Sequence, residues 1–387
     1  MGAKKQKLVL TALILLLVFA LAGCTAPTTP PPGGYRAIAY VTLPASENWR
    51  WIGTDQEGRV EAAVDTRYVT HINFAFGMLQ AYQFQPGQPG RPLQQGNVAA
   101  PEAYIDPTDG KPHYRATLTG WIEEMNSLVD GRAYLQALAA LKQNAPQLKI
   151  LLSIGGWDSD GFCYMAQTPE GRAEFIQSCI GLVQEYTLDG IDIDWEYPTN
   201  GGWGTIAHCN TCVQDARALL TEARAALDAE FGVGNQLLTI ASGAYQPWVD
   251  SDTFAALDYI NVMCYDYDAG SGGRQADMAF CKAGMAQHIE MVGDTPENRA
   301  KLNLGLPFYN EGGPYLVPYY KGWSGTVDAS PAIIKDKMNW VKKESYGGAF
   351  YWAYSMDVFE QDVQNPNDPT IKILQRTLSE TLNGPAA

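Results

Sequence analysis

The chain has 387 residues, 46% of them hydrophobic and 18% charged, with a formal net charge of −15 at neutral pH. That length suits one large domain with an additional segment, and the composition suits a packed globular core. The acidic balance excludes a nucleic-acid binder, because a phosphate backbone demands basic surface.

The first segment stands apart from any fold. Lys4, Lys5 and Lys7 precede an apolar run, "LVLTALILLLVFALAG", that starts at Leu8. This is the order of an export signal rather than of a spanning helix. Its end, Leu21-Ala22-Gly23-Cys24, resembles a bacterial lipobox. The resemblance implies cleavage before Cys24, lipid on its thiol, and a protein held on a membrane and facing the periplasm or the exterior. Residues 1–23 are therefore assigned as a lipoprotein signal peptide and 24–34 as the lipidated Cys24 with a linker. The linker is rich in Pro and Thr, and such segments stay extended without building a core. Residues 35–387 are assigned to one domain.

Past Cys24 come Cys163, Cys179, Cys209, Cys212, Cys264 and Cys281. An even number in an exported chain permits disulfides. Cys163–Cys179, Cys209–Cys212 and Cys264–Cys281 are the local pairings, but spacing does not choose among the connectivities. "HCNTC" (His208 to Cys212) offers three zinc ligands in one loop without a second Cys-x-x-Cys, so a disulfide or plain thiols is the preferred reading.

From Tyr35 the chain alternates short β-rich runs with helical stretches. Strands are predicted at Tyr35–Thr42, Val69–Phe76, Leu148–Gly156 and Leu188–Tyr197, then at Gln236–Ala244, Leu257–Tyr267, Lys301–Tyr309 and Gly347–Met356. Helices are predicted over Gly131–Pro146, Pro169–Tyr186 and Thr211–Gly232. Alternation predicts a parallel sheet, and eight repeats predict an α/β fold of the (β/α)8 TIM-barrel type. A doubly wound open sheet is the alternative, and it would carry a Gly-rich first turn that is missing here. The connection Gly77–Tyr114 is long and is expected to form one wall of a cleft. Asn310–Tyr346, between strands seven and eight, leaves no room for a sizeable inserted domain.

The fourth strand carries the chemistry. "LDGIDIDWEYP" (Leu188 to Pro198) holds Asp189, Asp192, Asp194 and Glu196 among residues that look buried. Side chains alternate along a strand, so Asp192, Asp194 and Glu196 share the inner face while Ile191, Ile193 and Trp195 face the helices. The acids form a column climbing to the C-terminal mouth, where barrel enzymes work. Asp189 lies off this parity and reads as structural. Clustered like charges keep a carboxylic acid protonated near neutral pH, which makes a general acid of Glu196. A Ca²⁺ or Mg²⁺ cage is the competing reading. One strand rarely surrounds an ion, so neither a metal nor a cofactor is expected.

"DGIDIDWE" resembles the D-x-x-D-x-D-x-E signature of glycoside hydrolase family 18, the chitinases and their relatives. "SIGGW" (Ser153 to Trp157) is similar to the family's S-x-G-G, "MCYDY" (Met263 to Tyr267) to its M-x-Y-D, and Trp352 to its strand-eight Trp. The resemblance implies that Glu196 protonates the glycosidic oxygen and that the substrate's N-acetyl oxygen serves as nucleophile. Asp194 would orient the acetamido N–H, exchanging a hydrogen bond between Asp192 and Glu196. Tyr265 would bind the acetamido group, with Asp266 and Met263 beside the sugar and Trp352 beneath it. Tyr40 and Ser153 would support Asp192, and Gly155 and Gly156 would be structural. Trp157 is expected to contact sugar, whereas Tyr245, Trp248, Phe308 and Tyr309 could serve either cleft or core. Cys264 departs from the usual Thr or Ser, and by parity it faces away from the cleft.

The resemblance implies a retaining hydrolase of chitin and chitooligosaccharides, endo-acting and monomeric, whose partner is a polymer of N-acetylglucosamine. An endo-β-N-acetylglucosaminidase acting on N-glycans and a catalytically weak chitin-binding lectin are the alternatives.

Overall fold

Eight parallel strands close into a barrel in the computed structural model. The structure describes residues 30–31, 33–43, 51–80, 104–122, 127–157, 159, 161–199, 210–267, 275–312, 315–321 and 328–385. The strands are β1 (Arg36–Thr42), β2 (His71–Leu79), β3 (Lys149–Gly155), β4 (Gly190–Asp194), β5 (Leu237–Gly243), β6 (Tyr259–Met263), β7 (Leu302–Pro307) and β8 (Gly348–Trp352). Each pairs in parallel with its neighbours in sequence, and β1 pairs with both β2 and β8. The (β/α)8 expectation therefore holds, and the open-sheet alternative falls with the β1–β8 ladder.

The longer helices are α1 (Arg132–Ala140), α2 (Pro169–Tyr186), α3 (Cys212–Phe231), α4 (Met278–Val292), α5 (Pro331–Lys343) and α6 (Ile373–Asn383). Their starts are written locally. Thr168 accepts from Gly171 N at 3.0 Å with Pro169 following, and Asp277 accepts from Phe280 N at 2.7 Å. Each cap satisfies an otherwise orphaned backbone donor. Between β7 and β8 the described residues form a hairpin (Tyr309–Gly312 with Tyr315–Pro318) and then α5. Cys24, Cys209, the signal peptide, and most of the linker and of the Gly77–Tyr114 connection lie outside the described residues.

Ile191, Ile193 and Trp195 join the large apolar core that also takes Leu219 and Leu220 of α3. Trp195 stacks on Phe162 at 5.4 Å between centroids. Burying such side chains stabilises the barrel by roughly 1.5–3 kcal/mol each. Inside the barrel a smaller apolar group, Ile38, Tyr40, Ala75, Ala241, Tyr259, Met263 and Phe350, shares space with buried polar residues. These are Asn73, Ser153, Asp192, Asp194, Thr239, Asn261 and Asn303. At the foot of the barrel the two ends of the domain meet: Tyr35 N donates to Asn383 Oδ1 at 3.2 Å, and Asn383 Nδ2 donates to Tyr35 O at 3.1 Å.

Candidate active site

The registers of β3, β4 and β5 put Ser153, Asp192 and Thr239 on one level of the barrel. Asp192 is fully buried and receives three hydroxyl donors. Tyr40 Oη and Ser153 Oγ reach its Oδ2 at 2.8 Å each, and Thr239 Oγ1 reaches Oδ1 at 2.5 Å. Burial pushes the Asp192 carboxyl up, opposed by the hydroxyls of Thr239, Ser153 and Tyr40. Donors aimed at an anion favour the ionised form, so these contacts hold Asp192 closer to a carboxylate than burial alone would allow.

One level higher, Asp194 is also buried, and its Oδ1 has no hydrogen-bond partner among the described residues. Burial drives its carboxyl well above the usual range, and the neighbouring Glu196 and Asp192 drive it further. Of the two buried acids, Asp194 is the one pushed further up, because no described donor opposes its burial. Glu196 is half-buried and stands two residues past the end of β4, which stops at Asp194 rather than running on to Tyr197. Burial and the adjacent Glu196 push the Tyr197 phenol up as well.

Two glycines let this junction form. Gly155 and Gly156 have φ of +125° and +89°, and Gly156 N donates to Asp194 O at 2.8 Å. A Cβ on Gly155 would lie 2.0 Å from Asp194 O, and one on Gly156 would lie 2.5 Å from the Phe76 ring. Asp189 sits at the strand's other end, accepting from Lys142 Nζ at 2.7 Å, Lys149 Nζ at 3.1 Å and Ile150 N at 2.9 Å.

The mouth is lined with aromatics. Trp352 stacks on Phe76 at 5.4 Å and lies 5.9 Å from the Tyr40 ring. Tyr265 is half-buried, 6.0 Å from Phe350 and 6.3 Å from Tyr309, and burial raises its phenol, with Asp266, Asp194 and Glu196 adding to the effect. Met263 is buried at the top of β6. Asp266, at φ +59°, accepts from Tyr309 Oη at 2.6 Å. Trp157 is 47% exposed and Tyr245 44%, large exposures for aromatics at strand ends.

Residues 47–315 match the family model described as "Glycosyl hydrolases family 18". The chain belongs to glycosyl hydrolase family 18. Tyr40 and Trp352 lie outside that matched stretch, and barrel closure brings them to the column. Among similar proteins, chitinase A1 of Niallia circulans is 28% identical over 69% of this chain, and the chain spans 41% of that relative's length. Chitinase 1 of Aphanocladium album is 26% identical, with 88% of each protein covered. The structure of catalytic domain 2 of the Ostrinia furnacalis Group II chitinase, in complex with (NAG)5, superposes with a TM-score of 0.62. It covers 90% of this chain and 97% of that one at 19% identity, a likeness that shows the fold alone.

Within this family 18 barrel, two of the four ambiguous aromatics go to the core. Phe308 is fully buried and stacks on Tyr351 at 4.1 Å, and Trp248 is 3% exposed. Both lie at or just beyond strand ends, where position alone does not tell cleft from core. Tyr309 is buried too, but its hydroxyl holds Asp266. Cys264 is buried behind the mouth beside Cys281, whose thiol donates to Cys264 O at 3.6 Å. The acids on the column do not include a metal cluster: among the described residues no group of three His, Cys, Asp or Glu side chains could hold an ion. Sequence reasoning missed Thr239, Phe76 and Tyr197. The inner-face parity of β5 is the signal that could have found Thr239.

Proposed function

We propose that this chain is a chitinase that hydrolyses β-1,4 linkages between N-acetylglucosamine units with retention, using the substrate's acetamido oxygen as nucleophile. The observation that carries the reading is the graded column. Asp192 is held by three hydroxyls, Asp194 is pushed up by burial and its acidic neighbours with one oxygen unpartnered among the described residues, and Glu196 stands half-buried at the mouth. In this reading Glu196 gives its proton to the leaving oxygen. Asp194 turns its unpartnered oxygen to the acetamido N–H and steers the carbonyl oxygen onto the anomeric carbon. Asp192 stays ionised and accepts Asp194's hydrogen bond when Asp194 is turned away from Glu196.

Tyr265 hydroxyl completes the grip on the acetamido group, Asp266 and Met263 flank the sugar, Trp352 forms the apolar floor, and Trp157 offers a stacking face. The relatives called chitinases and the (NAG)5 complex of one of them support this substrate class. The short β7–β8 connection supports a shallow cleft and internal cutting. We further propose that residues 1–23 direct export and that Cys24 carries the lipid that anchors a monomer to the membrane.

The test is hydrolysis of chitin oligosaccharides by residues 35–387, with products resolved by length and anomer, beside Glu196→Gln. A positioned general acid is worth about 10² to 10⁴ in rate, so the variant should lose that much kcat. β-Anomers of mixed length in the wild type support the reading. Disaccharide released only from one end removes internal cutting. Binding without turnover makes the chain a lectin, and cleavage of N-glycan cores alone moves the substrate.

A further inference from the structure

Below the acid column, hydrogen bonds continue through the barrel to its foot. Arg36 Nε donates to Asn303 Oδ1 at 2.9 Å, and Asn303 Nδ2 donates to Asn261 Oδ1 at 3.0 Å. Asn261 Nδ2 then donates to Tyr40 Oη at 3.2 Å, and Tyr40 Oη donates to Asp192 Oδ2 at 2.8 Å. Three side chains, Asn303 on β7, Asn261 on β6 and Tyr40 on β1, thus link a guanidinium at the foot to the lowest acid of the column. Asn261 and Asn303 face each other across the β6–β7 ladder and are fully buried, so the path is shielded from water.

Every bond in this path runs the same way. A guanidinium can only donate, so Asn303 must turn its oxygen towards Arg36 and its NH₂ towards Asn261. Asn261 must in turn accept with its oxygen and donate to Tyr40. The Tyr40 oxygen then already accepts a hydrogen bond, and its single proton is committed to Asp192. Resting on the catalytic reading above, we propose that Asn261 and Asn303 are positioning residues that transmit the fixed polarity of Arg36 to Tyr40. They lock the Tyr40 hydroxyl as a donor, so that Asp192 stays ionised and the proton of the acid pair resides on Asp194.

The other groups around Asp192 fit this division. Ser153 on β3 and Thr239 on β5 donate from the sides, Asp194 follows two residues on along the same strand, and Tyr259 on β6 is near enough for the Asp192 charge to raise its phenol. Arg36 stands 4.7 Å over the Tyr259 ring, and the His71 ring meets that ring edge-on at 5.7 Å. Burial lowers the Arg36 guanidinium to about 10, which leaves it cationic at neutral pH. Burial also lowers His71 to about 3, which leaves it neutral. Arg36 is therefore the cation from which this path starts. Aligned hydrogen bonds in a low-dielectric interior polarise one another, which gives a distant cation purchase on the carboxylate.

The experiment reads Asp192 directly, by ¹³C-carboxyl NMR titration of Asp-labelled protein, and reads kcat against pH alongside. Asn303→Asp is nearly isosteric, pairs with Arg36 and cannot donate to Asn261, so the path loses its direction. Asn261→Leu breaks the path while leaving Arg36 in place and adding no charge. Both should raise the Asp192 midpoint by about one pH unit, the scale of one lost hydrogen bond to an anion. Both should move the acid limb of kcat upward, and lower kcat about tenfold with KM little changed.

A shift in Asn303→Asp but not in Asn261→Leu would assign the effect to charge through space and overturn the proposal. An unmoved midpoint in two folded variants would overturn it as well. Should neither variant fold, the Asn261 side-chain ¹⁵N shift of the wild type decides, following the Asp192 titration if the path is continuous and staying flat if it is not. The NMR readout does not need turnover, so a wild type without hydrolase activity would defeat the chitinase reading and still test this one.

Discussion

At the scale of single residues, carboxyl groups in this barrel differ by what donates to them. Asp192 has three hydroxyls, whereas Asp194 Oδ1 has no partner among the described residues, and that contrast leaves Asp194 pushed further up than Asp192. Asp357 gives the same physics a stability readout. It is fully buried past β8 and accepts from Val358 N at 2.8 Å and from Gln375 N at 3.0 Å, the latter in the first turn of α6. Burial raises its carboxyl to about 6 despite those donors. Between roughly pH 4 and 6 the unfolded chain has released this proton and the folded chain retains it. Its contribution is therefore complete below about pH 4 and is lost as pH rises through 6. Unfolding free energies measured across that window should fall by roughly 2–3 kcal/mol more in the wild type than in Asp357→Asn. Equal slopes in the two proteins would show that the Asp357 carboxyl is not raised on folding.

Elements set the level at which those residues meet. Gly155→Ala would push a methyl into the Asp194 carbonyl at a φ that side chains avoid. The β3–β4 junction should lose about 3 kcal/mol or more, read by thermal or denaturant unfolding, and kcat should drop because Asp194 moves with its backbone. A Gly155→Ala protein with unchanged stability would mean that the junction relaxes freely. The period-2 pattern made the column on β4 legible, because one strand's alternation needs no knowledge of its neighbours. The barrel was legible for a similar reason: eight apolar runs spaced by helical ones leave few alternatives. Thr239 was half legible: the parity of β5 turns it inward, but its bond to Asp192 depends on the register between β4 and β5, which no single strand encodes. The fate of Phe308 and Trp248 was not legible, since a residue just past a strand can turn either to the mouth or back under the helices. The end of β4 was overestimated because Trp195 and Glu196 continue the alternation after the ladder has stopped.

At the scale of the whole molecule, closure makes one site from the two ends of the chain. Tyr40 comes from β1 and Trp352 from β8, and both approach a column borne on β4. The Tyr35–Asn383 clasp ties β1 to the last helix at the opposite face. Asn383→Ala should cost about 1–2 kcal/mol for its two backbone hydrogen bonds, seen as a Tm lower by a few degrees. Because the clasp is remote from the mouth, kcat at 25 °C should stay at the wild-type value. A loss of kcat at full stability would show that the two faces communicate.

The clasp also sets the chain's entry on the face opposite the acid column. Chain entry at Tyr35 is at the N-terminal ends of the strands, and the acid column opens at their C-terminal ends. Under the lipid anchor proposed above, the barrel would be held by its underside. The cleft would then be presented outward, like a cup standing on its base, to polymer arriving from solution rather than to the bilayer beneath.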